Sequence, residues 1–148
     1  MSSIQKIICA VDLSDHSALV ADYASTLALA FNAEVIAVYV APLLTQFMGL
    51  EVSTRSIDRL ASEISAGAEQ DLERFVSEKL GEVKSKAKML NGHPVDEIVS
   101  FAHSSGADMI VMGTHGHRGI NRILFGSVAE GVVKNSDVPV ITVRPQDL

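Results

Sequence analysis

A chain of 148 residues with a formal charge of −6 and no lysine or arginine tract is the size of one domain. It carries no broad electrostatic footprint for nucleic acid or an anionic membrane. Hydrophobic residues make up 47%, yet there are two Tyr, five Phe and no Trp, so the core has to be assembled from Val, Ile, Leu and Ala.

No stretch reaches the roughly 18 consecutive apolar residues of a membrane span, and Met1 to Lys6 lacks the layout of a signal peptide. Cys9 is the single cysteine and lies within the apolar run Ile7 to Val11. It reads as a buried hydrophobe rather than a reactive thiol. A cytoplasmic, reducing setting is the expectation.

In chain order, Ile7 to Val11 reads as a strand buried on both faces, ending at Asp12, with Asp12 and Ser14 at its carboxyl end. A helix capped within Ser14 to Ser17 follows, with Val20, Ala24, Leu27 and Phe31 on its buried face. Glu34 to Ala41 is a second strand, stopped by Pro42. Leu43, Leu44, Phe47, Met48, Leu50 and Val52 have no clear period and read as a loop folded onto the body, the alternative being a lid or partner surface.

Thr54 to Leu80 predicts a long helix, with Ile57, Leu60, Ile64, Leu72, Phe75 and Val76 on one face, Gly67 a weak point and Gly81 the stop. Val83 to Leu90 alternates, and Lys84, Lys86 and Lys88 mark it as a half-exposed edge strand. Pro94, Val95, Ile98, Val99, Ala102 and the following Gly106 predict a third helix. Met109 to Met112 is the fourth strand, Ser127 to about Lys134 the fourth helix and Val138 to Val143 the fifth strand. Alternating strands and helices imply an α/β fold, a five-stranded parallel sheet with helices on both faces and strand order 3-2-1-4-5. In that order ligands bind at the switch point between strands 1 and 4, where Asp12 and Gly113 end their strands.

Between the fourth strand and fourth helix runs Gly113-Thr-His-Gly-His-Arg-Gly-Ile-Asn-Arg-Ile-Leu-Phe-Gly-Ser127. Glycines at 113, 116 and 126 allow positive φ and close backbone approach to an anion, and Ser127 stands at the predicted N-cap, where the helix dipole favours phosphate. The structural alternative is a capping box, Ser127-Val-Ala-Glu130, preceded by ordinary loop glycines. Asp12 likewise has two readings: a ligand contact, or a cap and turn residue. Arg118 reads as a fork for phosphate oxygens, Arg122 as solvated. His115 and His117 at i, i+2 do not form a diagnostic metal pattern, and His16, His93 and His103 read as surface or cap residues.

The G-x2-G-x9-G-S spacing, with Lys6-Ile-Ile-Cys-Ala-Val-Asp-Leu-Ser14 and Val138-Pro-Val-Ile-Thr-Val143, resembles the nucleotide-binding universal stress proteins over essentially the whole chain. The resemblance implies one domain over residues 1–148 with an adenine nucleotide alpha hydrolase-like, Rossmann-like fold. It implies that Gly113, Gly116, Gly126 and Ser127 hold phosphates, that the main chain of Val40 meets adenine, and that Asp12 lies near ribose and a Mg²⁺ or Mn²⁺ ion. Ala10, Met112, His115, His117, Arg118 and Val128 fall beside these positions. Ala10 stands where many members have proline and Leu13 where many have glycine.

The resulting expectation is an ATP-binding stress-response sensor that dimerises through the fifth strand and acts on a regulatory protein partner, without nucleic acid or membrane. A slow ATPase or phosphotransferase using the same site is the alternative, and a nucleotide-free scaffold a third reading. Turnover is disfavoured because neither a base nor a motif lysine is evident.

Overall fold

The computed structural model describes residues 3–41, 54–114 and 126–145. In chain order the elements are β1 (Lys6–Ala10), α1 (Ser17–Phe31), β2 (Glu34–Ala41), α2 (Thr54–Lys79), β3 (Ser85–Asn91), α3 (Pro94–Ser104), β4 (Met109–Gly113), α4 (Ser127–Asn135) and β5 (Val140–Val143). The strands form one parallel sheet in the order β3-β2-β1-β4-β5, with the lysine-bearing strand at an edge. Lys86 and Lys88 are exposed along it.

Because side chains alternate across a strand, each strand feeds two cores. Ile7, Cys9, Val11, Val35, Ala37, Met109 and Val111 face α1 and α2, where Val20, Ala24, Leu72 and Leu80 meet them. Ile8, Ala10, Ile36, Val38, Ile110 and Met112 face α3 and α4, against Ile98, Ala102, Ala129 and Val132. Burial on both faces is why the central strands read as continuous apolar runs. Each fully buried Ile or Val contributes on the order of 1.5–3 kcal/mol.

The buried stripe of α1 differs from the predicted one. It consists of Ser17, Val20, Ala21, Ala24 and Ala28, while Phe31 is exposed. Small side chains let α1 approach the sheet closely, so the larger Leu27 packs only at the margin of the core. Leu60 and Ile64 of α2 are also exposed, whereas Leu72 farther along is fully buried. Gly67 does not interrupt α2.

β1 spans Lys6–Ala10, one residue earlier than expected, and the starts of β3 and β5 move inward for local hydrogen-bonding reasons. Val83 N–H turns back to the Leu80 carbonyl at 3.3 Å and the Ser85 hydroxyl donates to the same carbonyl at 2.9 Å, so β3 begins at Ser85 rather than Val83. At β5 the Val138 N–H is held by Ser136 Oγ at 3.1 Å and Pro139 has no N–H to give, so the strand begins at Val140. Pro139 still contributes its carbonyl, which accepts from Ile110 N–H at 2.9 Å.

The amino ends of the strands are stapled by a residue the sequence pattern does not single out. One carboxylate oxygen of Asp108 accepts the Gln5 and Lys6 N–H groups at 2.8 and 3.0 Å. The carboxyl ends carry the candidate site.

Candidate functional site

In the sheet, β1 lies between β2 and β4, with Ala10 level with Val38 on one side and Met112 on the other. The helix after β1 packs on one face of the sheet and the helix after β4 on the other, so the switch point lies at the β1–β4 boundary. Ala10, Val40, Met112 and Val128, which the resemblance places at or beside the nucleotide, belong to one apolar core cluster on the α3/α4 side. Period-two alternation explains this, since Ala10, Val40 and Met112 fall on the same face of neighbouring strands.

Asp12 occupies the turn leaving β1. Its Oδ1 accepts the Ser14 N–H at 2.9 Å and the Ser17 hydroxyl at 3.1 Å, tying the turn to the first residue of α1. The turn reading of Asp12 is therefore realised, although the N-cap of α1 is His16, and it is compatible with ligand contact, because a carboxylate has about four acceptor positions. The turn is made with Leu13 at φ 63°, in the left-handed region, where a side chain costs about 1–2 kcal/mol. Leu13 packs against the α1/α2 core, which offsets that strain.

Ser14 Oγ is buried and has no hydrogen-bond partner, a condition that costs about 1–3 kcal/mol for a hydroxyl. Tyr39 lies close enough to feel the Asp12 charge: burial, and after it the Asp12 carboxylate, raise the pKa of its phenol. The Tyr39 hydroxyl therefore stays protonated at neutral pH. Ser14, Ser17 and Tyr39 thus surround Asp12, and the sequence reading did not single them out as candidates. The D-x-S-x-x-S spacing from Asp12 to Ser17 is the signal that reveals the serines.

Across the boundary, Thr114 follows β4 and is buried, its N–H donating to the Val143 carbonyl at 3.0 Å. Its carbonyl accepts the Gly126 N–H, so the chain that departs at Thr114 returns beside it. A Cβ on Gly126 would lie 2.8 Å from the Thr114 carbonyl oxygen, which is why glycine is needed here. The φ of Gly126 is −69°, so close approach rather than positive φ explains this glycine.

The predicted N-cap is corrected by one residue: Gly126 is the cap and Ser127 the first helical residue. The capping box does not form around Ser127, which is exposed, and Glu130 instead pairs with Lys134 at 3.2 Å. The first intrahelical bond runs from Glu130 N–H to the Gly126 carbonyl at 3.0 Å. The N–H groups of Ser127, Val128 and Ala129 thus precede the intrahelical ladder, and Gly126 has no side chain with which to cap them. Gly113 ends β4 beside this neck. His115, Gly116, His117, Arg118 and Arg122 lie outside the described residues, as does the Pro42 to Val52 segment.

His16 and His93 occupy the N-cap positions of α1 and α3 without a side-chain cap bond, in keeping with the surface-or-cap reading. His103 Nδ1 is 2.9 Å from Asp137 on the exposed side of α3. Among the described residues, no group of three or more His, Cys, Asp and Glu is arranged to hold a metal, and no helix is long and apolar enough to cross a membrane.

These features define a doubly wound α/β protein in which a polar turn follows β1 and, among the described residues, a helix without a side-chain cap follows β4, on either side of the switch point. The chain belongs to the universal stress protein family, whose sequence model matches residues 3–144. It is 43% identical over 142 residues to the universal stress protein MJ0531 of Methanocaldococcus jannaschii, covering 95% of this chain and 82% of that protein. The solved structure of MJ0577, from the same organism, superposes with a TM-score of 0.85 at 27% identity, covering 99% of this chain and 100% of that one. The universal stress protein from Archaeoglobus fulgidus in complex with dAMP superposes with a TM-score of 0.66 at 27% identity, covering 96% and 98%.

Proposed function

We propose that this protein binds an adenine nucleotide, ATP, in the crevice between the Asp12 turn and the N-terminus of α4, and that occupancy alters a dimer or regulatory-partner surface. The observation that carries the reading is the uncapped start of α4. Its leading N–H groups and the positive end of the helix dipole favour an anion, and the Thr114–Gly126 neck fixes them beside β4. A family member from Archaeoglobus fulgidus in complex with dAMP supports the choice of adenine nucleotide.

On this reading Gly113, Gly116, Gly126 and Ser127 hold phosphates and the Val40 main chain meets adenine. Asp12 lies by the ribose, while Ala10, Met112, His115, His117, Arg118 and Val128 line the pocket. Mg²⁺ or Mn²⁺ fits a site with few protein carboxylates, because such ions are commonly held by one or two carboxylates plus nucleotide phosphates. Asp12 is the residue that would reach the ion, which neutralises phosphate charge when bound. Asp12 already serves the turn through one oxygen, so its part is to position and bind.

The outer edge of β5 supports a homodimer. In the sheet order β5 stands last, and Val140 and Ile141 are only half-buried. A second copy pairing along Val138 to Val143 protects that edge. Calorimetric titration with ATP and Mg²⁺, together with mass spectrometry of nucleotide released from purified protein, tests the proposal. Saturable binding to one site per chain supports it; a folded protein that carries no nucleotide and takes up none contradicts it.

A further inference from the structure

Three hydrogen bonds close the turn after β1. Ser14 N–H and the Ser17 hydroxyl both bond Asp12 Oδ1, and the Ser17 N–H donates to the Ser14 carbonyl at 3.0 Å. Ser14 Oγ, by contrast, is buried and without a partner. Its position is not needed to close the turn, because the bonds that Ser14 contributes there are made by its backbone.

We propose that Ser14 is a ligand-contacting residue whose hydroxyl hydrogen-bonds a sugar hydroxyl of the bound nucleotide. The inference rests on the nucleotide reading above and adds a residue and a ligand group to it. Three observations favour a sugar hydroxyl over phosphate. The Asp12 carboxylate lies two residues away and is bonded to the Ser14 N–H, so its negative charge disfavours an uncompensated phosphate oxygen there. A sugar hydroxyl both donates and accepts, so it can serve a carboxylate and a serine together. The anion-seeking end of the crevice is at α4, after β4, whereas Ser14 follows β1.

Burial of an unpartnered hydroxyl also gives the proposal an unusual signature. Ser14→Ala leaves both backbone bonds of the turn in place and removes only the orphan group. In the ligand-free protein the variant therefore unfolds at the same temperature as wild type or higher. Its affinity for ATP falls roughly 3- to 10-fold, the worth of one hydrogen bond. That loss vanishes when 2′,3′-dideoxy-ATP is the probe, which wild type and variant bind alike.

The experiment is a pair of measurements on the full chain: thermal unfolding without nucleotide, and titration of wild type and Ser14→Ala with ATP and with 2′,3′-dideoxy-ATP. A lowered unfolding temperature with unchanged ATP affinity makes Ser14 a fold residue and overturns the proposal. An equal loss toward both nucleotides moves the contact off the sugar and overturns it as well. Wild-type protein that distinguishes poorly between ATP and 2′,3′-dideoxy-ATP while binding both contradicts the sugar contact but leaves the nucleotide reading standing. Wild-type protein that binds neither overturns the nucleotide reading, and this proposal with it.

Discussion

Gly126 returns the chain so close to Thr114 that its amide bonds the Thr114 carbonyl and a Cβ would sit 2.8 Å from that oxygen. A glycine that the sequence reading gives to phosphate is thus also needed to close the neck between β4 and α4. Gly126→Val is expected to lose about 1–3 kcal/mol of stability, because the obstruction is backbone rather than a movable side chain. Urea unfolding of the ligand-free variant measures this. Wild-type stability with lost ATP affinity would return the glycine to a purely ligand-binding role.

Gly67 provides the opposite case. It lies within α2, and a Cβ there meets nothing within 4 Å. Gly67→Ala is therefore expected to raise stability by about 0.5–1 kcal/mol through reduced backbone freedom of the unfolded chain, with no change in ATP binding. A decrease in the urea midpoint would contradict the open-space geometry.

Cys9 sits within β1, fully buried, and burial pushes its thiol pKa up to about 12, well above that of a free thiol. An acid whose folded pKa is raised stabilises the fold fully below its unfolded pKa and loses that contribution as pH rises toward the folded value. Between about pH 9 and pH 12 the Cys9 contribution should fall by about 1.4 kcal/mol per pH unit. Cys9→Ala should show a shallower loss over that window. In the folded protein at pH 8 Cys9 should also resist thiol reagents. Fast stoichiometric labelling without unfolding would contradict its burial.

The fold was largely legible in the sequence because both periods are strong. Continuous apolar runs at Ile7 to Val11 and Met109 to Met112 can be buried strands, and the lysines of β3 mark an edge. The pairing of the carboxyl ends of β1 and β4, Ala10 level with Met112, followed from strand order. Other features were set by single atoms that periodicity does not carry. A missing N–H at Pro139 moved the start of β5, a carbonyl at Thr114 explained Gly126, and small alanines rather than large residues formed the buried stripe of α1. The N-cap position and capping box expected at Ser127 gave way because Gly126 is the N-cap and Ser127 the first helical residue.

The β5 edge yields a test of assembly. Ile110 N–H donates to the Pro139 carbonyl and Thr114 N–H to the Val143 carbonyl, so alternate residues of β5 face β4 and Val140 and Thr142 direct their backbone groups outward. Thr142→Pro removes an outward N–H while sparing the β4 pairing. Light scattering at micromolar concentration is expected to show a dimer for wild type and a monomer for this variant. A wild-type monomer, with or without ATP, contradicts pairing through β5.

Binding and turnover separate in single-turnover assays with labelled ATP run beside equilibrium titration. A binding protein retains bound ATP, and His115→Ala or His117→Ala changes affinity alone. Rapid phosphate release, abolished by one of these substitutions with affinity intact, would establish the enzyme instead.

The most direct measurement of the central claim is titration of wild type and Asp12→Asn with ATP in the presence and absence of Mg²⁺. Asparagine keeps an oxygen to accept from the Ser14 N–H and the Ser17 hydroxyl, so the turn and the unfolding temperature should be nearly preserved while the charge is removed. The account predicts saturable ATP binding by wild type, strengthened by Mg²⁺, and a roughly 10-fold weaker Mg²⁺-ATP affinity in the folded variant. Absence of ATP binding by folded wild type, or identical Mg²⁺-dependent binding by the two proteins, would contradict it.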